Sequence, residues 1–147
     1  MKEINEYGDK LVDYDVAILA DVVGYDVYSP ECFTTYRNVK KEDNIITDSW
    51  TGLISEDEEF LCYRPTQTGL QKWIREKHGL EVYCKPALVE PELKEYYVGV
   101  EKWDNPKQDL IGCVIEKTYE KALEKGLEIA LNIIKTYNTN VSSDNTD

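Results

Sequence analysis

His78, the cysteines at 32, 62, 84 and 113, and a set of amide and basic side chains upstream of the histidine are the residues whose types lend themselves to chemistry. A lone histidine acts as a general base only when the fold sets a nucleophile or a carboxylate beside it. No neighbouring pattern supplies one, and the chain carries no glycine-rich phosphate loop, GxSxG or HExxH. His78 stands just before Gly79, where a helix would end. An imidazolium there is favoured by the macrodipole and can satisfy a terminal carbonyl, so capping is its expected task. The cysteines are 22 to 30 residues apart, with no CxxC pair and no second histidine, which argues against a structural zinc site. They read as free thiols of a reducing compartment. No catalytic, cofactor-binding or metal-ligating residue is assigned.

On a helical wheel, Gln67, Gln71, Arg75 and His78 fall on one flank beside an apolar stripe of Leu70, Trp73 and Ile74. This flank has a mixed donor and acceptor inventory. It reads either as a solvated helix flank or as a partner-binding surface, and these four residues are the candidate site.

The element that must carry the flank is well marked. Pro65 with Thr66 or Thr68 opens a helix, Gln71 can close a capping box with Thr68, and Gly79 stops it, with Leu80 free to fold back on Ile74. Downstream, EVYCKPA, EYYVGVEKW and DLIGCVI alternate as three strands, with turn chemistry at Asn105 and Pro106. A last helix, capped by Thr118, repeats apolar residues from Tyr119 through Ala122, Leu123, Gly126, Leu127, Ala130, Leu131 and Ile134 to Tyr137. Gly126 inside that stripe predicts close backbone packing. Upstream, DYDVAILADVVG predicts a short buried helix with Asp13 or Asp15 at its N-cap and Gly24 past its end. Residues 25–46 suggest a hairpin of short strands, and SEDEE at 55–59 an exposed acidic loop. The fold class expected is α+β, a single domain over residues 1–137. Its C-terminal half runs helix, three-stranded antiparallel meander, helix, and an N-terminal helix and short strands are added. The polar run at 138–147 reads as a disordered tail.

Charge narrows the function. The net charge is −12, and residues 1–63 hold 15 acids against 5 bases, a balance of −10, while residues 64–147 balance at −2. Direct nucleic-acid binding is not expected without a basic excess to displace counterions. The order helix, three strands, helix also occurs in double-stranded RNA-binding domains. Here, however, Lys117, Lys121 and Lys125 interleave with Glu116, Glu120, Glu124 and Glu128, which neutralises the field. The amino terminus alternates charge with apolar residues, and no run approaches the ~18 apolar residues of a membrane span, so a cytoplasmic protein without membrane contact is expected.

The run PTQTGLQKWIREKHGLEVYCKP, with WDNPKQ and TYEKALEKGLEIALNII downstream, resembles a family of small proteins encoded by bacteriophages, prophages and mobile elements of gut anaerobes. The family's block matches Pro65, Thr66, Gln67, Leu70, Gln71, Lys72, Trp73, Ile74, Arg75, Glu76 and His78. The segment from Glu31 to Glu59 departs from the family's pattern. The resemblance implies a genomic setting and the cytoplasm of a bacterial host, and no activity or cofactor. Three functions follow as expectations: an acidic accessory protein that binds a host or phage protein, an acidic nucleic-acid mimic that blocks a host nucleic-acid-binding factor, and an enzyme of unrecognised type. The sequence does not fix an oligomeric state.

Overall fold

The computed structural model describes residues 2–40, 42, 45–87, 95–102 and 109–144, with side chains described in all of these except 109–113 and 141–144. The architecture is α+β, as the patterning indicated, with three α-helices and two three-stranded antiparallel sheets among the described residues. By contact the chain divides into two compact units, Met1–Thr66 and Gln67–Asp147.

In the first unit, α1 (Tyr14–Val22) starts after Asp13, whose extended backbone makes it the N-cap, and buries Val16, Ala17 and Ala20. Its end follows from glycine chemistry. Gly24 takes φ +97°, so its N–H reaches the Asp21 carbonyl at 3.0 Å while the Tyr25 N–H reaches that of Ala20 at 2.9 Å, a Schellman closure. Strands β1 (Glu31–Tyr36), β2 (Thr47–Trp50) and β3 (Glu58–Tyr63) form a sheet in the order β2-β1-β3. A hairpin forms, β1 with β2, but its second strand lies just past the range 25–46 in which both strands were expected. The acidic loop is shorter than expected: only Ser55–Asp57 turn, and Glu58 and Glu59 already pair with Tyr36 and Thr35 as the start of β3. An irregularity between Phe33 and Thr34 shifts the β1–β3 register. The central strand β1 is buried over its first five residues, on both of its faces.

In the second unit, α2 (Gln67–His78), β4 (Leu80–Ala87), β5 (Glu95–Lys102), β6 (Asp109–Glu116) and α3 (Tyr119–Asp144) follow the expected order. The sheet is a meander, β4-β5-β6. Helix α3 packs across all three strands, and α2 packs on α3 and β4. The core is aliphatic: Leu70, Ile74, Val82, Val98, Ala122, Leu123, Leu127, Ala130 and Leu131 are buried, with Trp73 beside them. A Cβ on Gly126 would collide with Val98 and come within 2.7 Å of Val82, so the close approach expected at that glycine is present. Thr118 caps α3 through its hydroxyl, which accepts the Lys121 N–H at 3.2 Å.

Several expectations are corrected in this unit. Thr68 is the second residue of α2 and exposed, so the helix opens after Thr66 and the Thr68–Gln71 capping box does not form. Tyr119 and Tyr137 sit at the ends of the apolar stripe and are exposed. Residues 138–144, read as tail, continue α3. Extending a helix already nucleated costs little, and it continues here even though Thr136 and Thr139 turn their hydroxyls back onto the carbonyls of Asn132 and Lys135, each at 2.9 Å, a bond that slightly weakens a helix. Trp103 and the turn at Asn105 and Pro106 lie outside the described residues.

Candidate functional site

The flank of α2 is turned inward more than its polarity suggests. Gln67 is buried, and its amide donates to the Glu120 carbonyl at 2.9 Å and to the Glu124 carboxylate at 2.8 Å, which uses both of its N–H groups. Gln71 donates to the Val82 carbonyl of β4 at 2.6 Å. Arg75 pairs with Glu81 at 3.3 Å and stays partly open to solvent. His78 packs edge-on against Trp73, ring centroids 4.9 Å apart. Burial pushes its pKa below the ordinary value and neighbouring Lys77 adds to the effect, so the ring is neutral rather than the capping imidazolium expected from the macrodipole. The four residues do share one side of α2. Gln67 and Gln71 brace the second unit from within, which excludes a solvated flank for them, and Arg75 is the member most available to a partner.

The first unit holds polar clusters that the sequence did not single out. Arg64, 2% exposed, donates from Nε to the Val12 carbonyl at 2.8 Å, pairs through Nη1 with Asp48 at 3.4 Å and lies 4.8 Å above the Phe33 ring. Lys2 completes the group: its Nζ meets Glu31 at 2.7 Å and sits 4.9 Å from the Trp50 ring, and its N–H donates to Asp48 at 3.1 Å. The second carboxylate oxygen of Glu31 is buried with no partner among the described residues. Beside this network opens a cleft of ≈ 370 Å³, lined by Lys2, Glu3, Asp13, Tyr14, Asp15 and Arg64. Burial, with Cys62 and Asp15 nearby, raises the Tyr14 pKa and keeps its phenol protonated. The lining offers charges of both signs and no hydroxyl or thiol paired with a base.

The opposite side of the same sheet is different. Thr34 pairs with Thr47 and Phe60, Cys32 with Ser49 and Tyr63, and Tyr36 with Glu58. Directly paired residues share a face, so these side chains lie together. At the centre, Glu58 accepts hydrogen bonds from the hydroxyls of Thr34 at 2.6 Å, Ser49 at 2.8 Å and Ser55 at 3.1 Å. The Thr34 and Ser49 hydroxyls, the largest causes, hold its pKa below the usual carboxylate value. Beside it the Phe60 and Tyr63 rings meet edge-to-face at 5.1 Å, and Tyr28 meets Tyr63 at 5.7 Å. Tyr28 is 64% and Phe60 41% exposed.

Cys32 and Cys62 are buried free thiols and Cys84 is a partly buried one; burial pushes all three pKa values up, that of Cys62 to about 12. Such thiols are poor nucleophiles. The side chain of Cys113 lies outside those described. Among the described residues no three His, Cys, Asp or Glu side chains gather as a metal site requires, and no helix is long and apolar enough to cross a membrane. Compared with protein-family models, curated proteins and solved structures, the chain matches none.

Proposed function

We propose that this chain is an accessory protein of a phage or mobile element that acts by binding another protein, and that the first unit does the binding. The observation that carries this reading is a coincidence of charge and exposed apolar surface. Residues 1–66 hold 15 acids and 6 bases, a balance of −9. The same unit holds eleven of the fourteen exposed large hydrophobic side chains among the described residues, Tyr28, Trp50, Leu53 and Phe60 among them. Exposed aromatic side chains set among charges are what protein interfaces use, and surplus acid keeps such a surface soluble until its partner arrives. The resemblance over residues 65–78 supports the genomic setting.

The test is affinity capture from bacterial lysate with the whole chain, alongside variants that alter each unit's surface. Capture should fall when exposed aromatics of the first unit are replaced and should persist when Arg75 is changed to alanine. Loss with Arg75→Ala alone would move the binding surface to the second unit. The −9 balance also favours a second reading, mimicry of a nucleic acid. That reading requires the captured protein to be a nucleic-acid-binding factor, displaced from the chain by duplex DNA or RNA.

A further inference from the structure

We propose that the patch formed by Tyr28, Tyr63, Phe60 and Glu58 beside the first sheet's buried centre is a docking surface for an arginine-bearing segment of a partner protein. This rests on the binding role proposed above and names the chemistry of the partner.

The argument starts from the charge of Glu58. Three hydroxyls hydrogen-bond its carboxylate, yet hydroxyls bring no net positive charge, and among the described residues no lysine or arginine stands within ion-pair distance of it. The group is held ionised, and the guanidinium at this residue, that of Arg37, donates from Nε to the Glu58 backbone carbonyl at 3.2 Å rather than pairing with the carboxylate. Next to that carboxylate stand the exposed Phe60 and Tyr28 rings, with Tyr63, half-buried, in contact with both. Aromatic faces are negative, so a cation set over Phe60 or Tyr63 is attracted by the ring and by the neighbouring carboxylate together. The balance of −9 over residues 1–66 adds long-range attraction for a basic segment and repels phosphate-bearing surfaces, whether nucleic acid or anionic lipid.

Arginine is selected over lysine by the rings rather than by the carboxylate. The oxygens of Glu58 already accept three hydroxyl bonds, so little acceptor capacity remains for a guanidinium fork, and Glu58 acts through its field. A guanidinium stacks flat on an aromatic face and is more weakly hydrated than an ammonium, so it loses less on leaving water.

The test uses fluorescein-labelled twelve-residue peptides alternating glycine with arginine, lysine or citrulline, titrated against the full chain by fluorescence anisotropy. Arginine should bind most tightly, lysine more weakly, and citrulline, with similar shape and no charge, weakest. Glu58→Gln and Phe60→Ala should each weaken the arginine peptide about threefold to tenfold, as loss of one cation–π or charge contact would. Phe60→Leu, which keeps apolar bulk and removes the ring, should weaken it comparably even if Phe60→Ala perturbs the fold, which circular-dichroism melting would show. Glu6→Gln, removing an exposed acid elsewhere in the unit, should change binding less than twofold. Citrulline binding as tightly as arginine, or Glu6→Gln weakening binding as much as Glu58→Gln, would overturn the assignment. If lysate capture persists in Phe60→Leu while the peptide results are negative, the binding role stands and only this surface falls.

Discussion

The two units solve the burial problem in different ways. In residues 67–147 one polar side chain among those described is buried, Gln67, and the rest of the interior is aliphatic and aromatic. In residues 1–66 five are buried: Ser29, Glu31, Thr34, Thr35 and Arg64. An apolar interior needs only the right volume and periodicity, whereas a polar one needs every partner in place, because an unpaired buried charge costs several kcal/mol. The first unit therefore adds particular pairs of side chains to an apolar core that includes Leu11, Val12, Val16 and Phe33, whereas the second is held almost entirely by packing.

Cutting the guanidinium out of the first unit tests this contrast most severely. Arg64→Ala leaves the Val12 carbonyl without its donor and Asp48 with only the Lys2 N–H, and should cost about 3–5 kcal/mol. Hydrogen exchange should show amides of β1–β3 losing protection while those of β4 and β5 keep theirs. Equal loss in both sheets would break the contrast. In the second unit the comparable change is steric. Gly126→Ala forces Val82 and Val98 to move and should destabilise by about 1–3 kcal/mol in urea unfolding, although alanine is the better helix former. Stabilisation instead would remove the close approach on which the description of α3 rests.

A smaller effect probes the polar element of the packed unit. Gln71→Ala frees the Val82 carbonyl and should cost about 1 kcal/mol, more than an uninvolved surface residue would. A melting temperature equal to wild type would return Gln71 to the solvated flank. The smallest effect is a pH dependence. His78 has a folded pKa below its ordinary ~6.5, so the unfolded chain binds the proton more readily. Its contribution is complete above that value and is lost as pH falls through the folded one. Stability of the second unit should decline modestly on acidification below ~6.5. His78→Gln should flatten that decline, and an unaltered profile would assign it to other groups.

The same contrast explains what was legible in the sequence. The meander, both of its helices and the close approach at Gly126 were readable because apolar periodicity and glycine placement reflect packing directly. Gly24 was readable for a similar reason, since a positive φ nearly demands glycine. Arg64 was not, because nothing in FLCYRPT distinguishes a buried arginine from a solvated one, and its partners Val12 and Asp48 are remote in sequence. Glu58 was read as loop because its acidity outweighed the alternation that begins there, and only the strand register reveals Thr34 and Ser49 beside it. In the candidate flank the polarity was visible and its destination was not. Gln67 and Gln71 look solvated until α3 and β4 supply their acceptors.

The notch at Gly126 also bears on the order of folding events. It is formed jointly by Val82 of β4 and Val98 of β5, so neither strand alone presents it, and α3 cannot seat fully until the hairpin has closed. Closing that hairpin brings residues sixteen apart together, whereas seating the helix joins residues twenty-eight and forty-four apart, at the greater entropic cost of the longer loop. Helix docking then belongs late on the pathway. A side chain placed in the notch should hasten unfolding and leave the folding rate nearly untouched, the kinetic signature of contacts that form after the rate-limiting barrier.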